Sequence, residues 1–423
     1  MELLIAFGSI VATLLVVVIV RNLSTVEKQL EHKITPDFCV GDPAFERAMD
    51  GLLGSKLLGG NRITPLVNGC RLFPDMLEAI RGAKHSVTLE TYIYWSGHIG
   101  RQVADALIER AQAGVHVHVL VDWAGSRKME NELLERLRAP ESRIEFHRYR
   151  PPSWRNLGTM NNRTHRKILV VDGRIAYTGG ACIADAWDGD AQDTDHWRDT
   201  LYRLEGPAAA QMQAAFMDNW VQVAEDVLLG DDYLPPLPRC GDVRAHVFRS
   251  GPFEGLQSAR LMYLISIACA RRHIRLGHSY FIPDRLCREA LISARKRGVK
   301  VEVIIAGATD APVTRHCTHW LLGDLLKAGI EVYEYQPAMY HCKLMIVDDL
   351  WVSVGSTNFD TRSFRLNDEV TLNAYDAEFA RGEIEQFERD KLSSRRITLE
   401  EWNARPAKTR AIEFAASLLR TQL

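Results

Sequence analysis

Two stretches of this chain repeat one another, and the duplication constrains the fold more than any other feature. In the first, SVTLETYIYW has the β-branched and aromatic content of a strand. VADALIERAQAGV follows with helical periodicity, and HVHVLVDWAGS alternates like a strand again. In the second, HIRLGHSYFIPD, CREALISARKRGV and KVEVIIAGATD come in the same order. Each stretch then adds a charged helix with a short strand, LLERLRAPESRIEFHRY or LLGDLLKAGIEVYEYQ, and closes on an apolar strand carrying a histidine and a lysine. Order, spacing and closing motif agree, which predicts an internal repeat. Strand–helix–strand alternation predicts an α/β fold, each half a mostly parallel sheet flanked by helices. With 423 residues, the chain is long enough for two to three cores of that kind.

The closing motifs carry the chemistry. THRKILVVDGRIAYTGG contains His165, Lys167 and Asp172, and YHCKLMIVDDLWVSVGSTN contains His341, Lys343 and Asp348. Both read H-x-K-x-x-x-x-D, and a glycine, Gly179 or Gly355, follows each aspartate seven positions on. One match could arise by chance, whereas two at equivalent places of a repeat constitute a signal. Side chains alternate along a strand, so each histidine shares a face with its lysine. Asp172 and Asp348 complete the motif as catalytic candidates, but their opposite parity favours a structural role.

Two histidines with two lysines suit attack on a phosphodiester. The lysines would clamp the non-bridging oxygens. One neutral imidazole could attack phosphorus while the other, protonated, donates to the leaving oxygen. No His, Asp or Glu cluster has metal-ligand spacing, so neither a metal nor another cofactor is expected. The two halves must then face each other across a shared active site.

The duplicated motif, followed by HWRDTLYRLEGPA in the first copy and GSTNFDTRSFRLNDE in the second, closely resembles the phospholipase D superfamily. Within it, the ETYIYW strand, VLVDWAGS, the HSYFIPD strand and the EWNARP tail are most similar to bacterial cardiolipin synthases, over roughly residues 66 to 423. The resemblance implies a phosphohistidine intermediate, with His165 the nucleophile and His341 the acid/base, or the reverse. It also implies that Asn358 and Ser356 support the phosphate or the second histidine. Asp199 and Glu369 stand where such proteins place carboxylates that orient the imidazoles. The chain departs from the pattern at Cys182, which occupies the first-copy position of Asn358 and is a poor replacement donor. Glu90, at a strand end, reads equally as a cleft residue or a buried structural carboxylate.

Residues 3–20, LLIAFGSIVATLLVVVIV, carry no charge. As a helix rising about 1.5 Å per residue they would cover about 27 Å, the depth of a bilayer's hydrocarbon core. A cleaved signal peptide needs a positive start, whereas this chain begins Met1, Glu2; a buried core helix would show a polar face. The expectation is a single-pass transmembrane anchor over 1–21. Arg21, Lys28 and Lys33 then put the catalytic part on the cytoplasmic side of the inner membrane.

A juxtamembrane segment over 22–65, repeats over 66–232 and 242–392, a linker over 233–241 (LPPLPRC) and an amphipathic tail over 393–423 complete the expected organisation. In the tail, Ile412, Ala415, Ala416 and Leu419 share a helical face, and Arg405, Lys408, Arg410 and Arg420 outnumber Glu413. That pattern suits an acidic membrane surface and a helix docked on the protein's own core equally.

Lys and Arg total 52 against 54 Asp and Glu, which argues against wrapping nucleic acid by bulk charge. Eight cysteines without C-x-x-C spacing exclude a zinc ribbon or disulfide scaffold. The resemblance therefore implies a membrane-anchored transphosphatidylase. It would move a phosphatidyl group from one phosphatidylglycerol to another through phosphohistidine, releasing glycerol. The expected partners are that phospholipid and the membrane, with no nucleic acid. A phospholipase D hydrolase on other phospholipids, a membrane-anchored phosphodiesterase or nuclease of the same superfamily, and a scaffold with a decayed site are the alternatives.

Overall fold

The structure, a computed structural model, describes residues 33–154, 159–252 and 257–423, with Ile5, Phe7, Gly8, Ser9, Thr13, Val16 and Val17 as isolated helical positions. The anchor expected over 1–21 lies largely outside the described residues. Among those described, no helix is long and apolar enough to cross a membrane.

The first repeat begins with the strand Ser86–Thr91, buried along its whole length. Helix His98–Gln112 returns the chain over the sheet, burying Ile99, Val103, Ala104, Leu107 and Ala111 at helical spacing. The next strands, His116–Asp122 and Ile144–Tyr149, add in parallel. The second repeat builds the same unit from His273–His278, Lys300–Ala306 and Glu331–Tyr335.

The expectation of mostly parallel sheets is corrected beyond these strands. Ile168–Val171 turns back into Ile175–Gly179, and Lys343–Val347 into Trp351–Gly355, so both pairs are antiparallel. The cause is a tight turn at the motif aspartate. Asp172 and Gly173 have φ of 52° and 62°, Asp348 and Asp349 of 52° and 59°. Two successive positive φ values, closed by Arg174 N–H to Val171 O and Leu350 N–H to Val347 O, mark hairpin turns of type I′. Such a turn can join only antiparallel neighbours, whereas the helical crossovers join parallel ones.

Among the described residues, the two halves form one mixed, 16-stranded sheet. They meet where Leu58–Val67 pairs antiparallel with Val243–Ser250, so they join edge to edge. The folded body therefore starts before residue 66. Helix Pro43–Leu53, within the expected juxtamembrane segment, buries Phe45, Met49 and Leu53 in the core of the second half beside Ala259 and Met262. At the other end, Ser394–Ile397 is an edge strand on Glu331–Tyr335, and helix Ala407–Ser417 packs on helix Pro312–Lys327.

Candidate active site

Short segments crossing between the halves bring the motifs together. Arg163–Thr164 pairs in parallel with Asn367 and Asp368 of the second half, and His165 N–H donates to Asp368 O at 2.9 Å. Reciprocally, Tyr340 bridges Arg198 of the first half, and His341 N–H donates to Arg198 O at 2.7 Å. Each histidine thus sits beside the carboxylate that follows its backbone partner in the other half, Glu369 after Asp368 and Asp199 after Arg198.

His165 Nδ1 lies 3.0 and 3.1 Å from the Glu369 carboxylate oxygens, and His341 Nδ1 lies 2.8 Å from Asp199 Oδ2. A carboxylate only accepts, so Nδ1 carries the proton in both rings and Nε2 keeps its lone pair. Each carboxylate is itself held. Ser356 Oγ donates to Glu369 Oε2, while Asp199 accepts from Trp187 Nε1 at 3.0 Å and from Thr200 N–H at 2.8 Å. Gly180 occupies the first-copy place of Ser356, and a Cβ there would come within 2.6 Å of Asp199 and of the His341 carbonyl oxygen. The indole of Trp187 therefore supplies the donor that a serine supplies in the second copy.

Lys167 and Lys343 are buried, and each donates to the carbonyl of its own histidine at 2.6 Å. Beyond that the half-sites differ. Lys343 Nζ also donates to Ser279 Oγ at 2.9 Å, Ser279 donates to Asn358 Oδ1 at 3.0 Å, and the ammonium lies 3.3 Å from both ring nitrogens of His341. In the first copy Tyr92 replaces Ser279, with Lys167 Nζ 5.5 Å from its ring centre. Cys182 replaces Asn358 and lines the same small cavity as Lys167.

Asp172 and Asp348 do not enter this cluster, which corrects their place among the catalytic candidates. Asp172 accepts from the N–H groups of Lys84, His85 and Ser86, and Asp348 from those of Arg271, Arg272 and His273. Each carboxylate caps the entry of its repeat's first strand from the type I′ turn. Glu90 is fully buried and accepts from Thr164 Oγ1 at 2.5 Å and Asn219 Nδ2 at 2.7 Å, bracing the residue before His165. Burial pushes its carboxyl up to about 7.

Sequence reasoning missed Trp187, Ser279, Tyr92 and two buried arginines. Arg166 donates to Ala215 O at 2.7 Å and Asp218 at 2.9 Å; Arg198 clasps Asp390 through two bonds of 3.0 and 2.9 Å. The arginines were detectable as charges adjoining candidate site residues just ahead of the strands Ile168–Val171 and Thr200–Glu205. Tyr92, Ser279 and Trp187 carried no comparable signal.

Burial pushes His165 down to about 4, with Lys167 and Lys343 adding to the fall and Glu369 opposing it. His341 is pushed to about 3 by burial and by Lys343. Each lysine thus acts across the halves as well as within its own. Burial also lowers Lys343 to about 8. Burial alone would raise the Glu369 carboxyl, but His165, Lys167 and Ser356 hold it below the usual carboxylate range. Both imidazoles are therefore neutral near pH 7, and an anionic phosphodiester between them would favour the imidazolium again.

The unfolded chain protonates these rings below about pH 6.5, while the folded chain resists until about 4 at His165 and about 3 at His341. Their contribution is complete above pH 6.5 and is lost as pH falls through that window. Denaturant midpoints should drop from about pH 7.5 to about pH 5, and less steeply for H165Q/H341Q than for the parent chain. Equal slopes would show that the rings do not titrate there.

A family profile described as "Cardiolipin synthase, PLD-like domain" matches residues 76–220 and 263–391. The chain is 35% identical over 362 residues to the major cardiolipin synthase ClsA of Bacillus subtilis, covering 85% of this chain and 75% of that protein. It is 32% identical over 402 residues to cardiolipin synthase 2 of Staphylococcus epidermidis, covering 93% and 82%. Among solved structures, phosphatidylserine synthase of Haemophilus influenzae superposes with a TM-score of 0.68 at 15% identity, over 89% of this chain and 99% of that one, which shows a shared fold.

Proposed function

The chain belongs to the cardiolipin synthases with phospholipase D-like domains, and from that premise we propose that His165, Lys167, His341 and Lys343 carry out its transphosphatidylation. The reaction moves a phosphatidyl group between phosphatidylglycerol molecules and releases glycerol. His165 Nε2 attacks phosphorus, the bond to the glycerol oxygen breaks, and the leaving oxygen takes the Nε2 proton of His341, which takes up that proton as the anionic phosphodiester binds. His341 then deprotonates the hydroxyl of a second phosphatidylglycerol, which displaces His165 and yields cardiolipin. Lys167 and Lys343 hold the non-bridging oxygens while charge builds on them.

The observation that carries this reading is the crossed pairing of each imidazole with a carboxylate from the other half. It leaves the lone pair of each Nε2 free of its carboxylate, with a buried ammonium in each half-site. Lys343 lies against the His341 ring, where it competes for the lone pair that attack requires, and this favours His165 as nucleophile. Glu369, Asp199, Ser356 and Asn358 act by holding the imidazoles and the second lysine in place.

Labelled phosphatidylglycerol should give cardiolipin and glycerol in equal amounts, with a labelled oligonucleotide left intact. Phosphatidic acid without cardiolipin would mean a hydrolase, and oligonucleotide cleavage a nuclease. Because the lysines supply the positive charge, turnover should persist in excess chelator. Loss in chelator, with recovery on adding one divalent ion, would remove that account.

Residues 1–21 anchor the chain in a single pass, with the body on the cytoplasmic side of the inner membrane; the uncharged run and the positive residues after it support this. Protease digestion of spheroplasts tests it, since a cytoplasmic body stays protected until the cells are lysed.

A further inference from the structure

Of the apolar face read from the sequence of helix Ala407–Ser417, only Ala416 is buried, while Ile412, Ala415 and Leu419 stay exposed. Glu413, Ala416 and Ser417 are buried against helix Pro312–Lys327, and Glu413 is paired with Arg405. Phe414 touches Trp320 at 5.3 Å between ring centres and is still 50% exposed. Ile412 is 43% exposed, Leu418 64% and Leu419 52%, with Ala411 and Ala415 exposed between them. At 100° per residue these six side chains fall on one continuous arc. An ordinary surface helix has the opposite arrangement, apolar face inward and polar face to solvent.

The surroundings say what covers this arc. Lys408, Arg410 and Arg420 are exposed, and the one acidic side chain of residues 407–423, Glu413, is buried and neutralised. The exposed side chains of residues 407–420 are therefore all apolar or cationic. Its far end stands at the rim of the catalytic cluster. Arg362 N–H donates to Leu423 O at 3.3 Å and Arg362 Nη1 to Gln422 O at 3.1 Å, while Asn161 Nδ2 donates to Gln422 Oε1 at 2.9 Å. Arg362 follows Asn358 by four positions, and Asn161 precedes His165 by four. Helix Pro312–Lys327 begins just after Asp310, which accepts from the hydroxyl of Tyr280, whose ring centre is 6.5 Å from that of His341.

We propose that residues 407–420 form an in-plane docking edge that inserts Ile412, Phe414, Leu418 and Leu419 into an anionic lipid surface beside the active-site mouth. An apolar stripe bordered by lysine and arginine, with no exposed acid, matches the boundary between acyl chains and anionic headgroups. The helix would hold the cleft rim at the depth where a phosphodiester headgroup lies. This use of the edge rests on the reading that the cleft takes phospholipid, whereas the insertion itself does not.

The test uses the full chain reconstituted in vesicles. A polarity-sensitive fluorophore on Leu419→Cys, read against the same chain without that substitution, should shift to the blue in phosphatidylglycerol bilayers and less in phosphatidylcholine bilayers. Leu418→Glu with Leu419→Glu should lower turnover of vesicular phosphatidylglycerol at least about tenfold while leaving turnover of a monomeric short-chain phosphatidylglycerol within about twofold. No fluorophore shift, equal loss on both substrates, or unchanged vesicle turnover would each overturn the proposal. So would a changed oligomeric mass in detergent, which would assign the edge to a second copy of the chain. If the parent chain turns over neither substrate, the functional reading fails, and the fluorophore still decides the docking.

Discussion

Replacing His165 by alanine should abolish covalent labelling and lower turnover by at least about a thousandfold, because no other group can attack phosphorus from that position. The His341→Ala variant should behave differently. It loses the proton donor, which a leaving group of low pKa does not need. It should still form phosphohistidine from a nitrophenyl phosphodiester while failing on phosphatidylglycerol. Breakdown of that intermediate should be slow, since the same ring must deprotonate the acceptor hydroxyl. Rapid-quench trapping with peptide mapping decides the matter. Label on His341 in the parent chain would exchange the two roles, and label on neither would remove the covalent step.

The second large effect falls on the crossed carboxylates. Glu369→Gln and Asp199→Asn keep size and shape, but an amide can donate to Nδ1 and so stabilise the wrong tautomer, with the proton on Nε2. Each should cost on the order of a hundred- to ten-thousandfold in turnover, by the reasoning that applies to carboxylate-oriented histidines in general. The variants also separate the roles. Glu369→Gln, in the second half, should block label formation on His165 in the first, because the lone pair that attacks is lost. Asp199→Asn should still permit labelling from the activated ester. Undiminished labelling in Glu369→Gln would show that its 3.0 Å contact to His165 does not select the attacking tautomer. Circular dichroism and the pH profile of the labelling rate would distinguish this from misfolding.

What the linear chain determined by itself was whatever repeats or alternates locally. The internal repeat followed from matching strand and helix periods. The H-x-K spacing, read as side chains on an alternating backbone, grouped each histidine with its lysine and gave Asp172 and Asp348 the opposite parity. The departure at Cys182 was visible against Asn358. The hairpins that make the sheet mixed were also partly legible, because Asp172-Gly173 is a strong type I′ pair. The strand–helix alternation outweighed that sign and led to an expectation of mostly parallel strands.

Only the tertiary structure decided which distant residues meet. Glu369 is 204 positions from His165, and Asp199 is 142 from His341; no local period reports a partner at that range. The pairing arises because segments beside the two histidines cross between halves joined edge to edge in one sheet. The same holds for Trp187, which replaces the Ser356 hydroxyl as a donor only because Gly180 admits Asp199 and the His341 backbone so closely. It holds too for the last helix. Its apolar spacing announced an amphipathic element, but which face turned inward depended on Arg405 capturing Glu413 and on the surface that helix Pro312–Lys327 offered. Periodicity records the faces a segment has, whereas the elements packed around it choose the face that is buried.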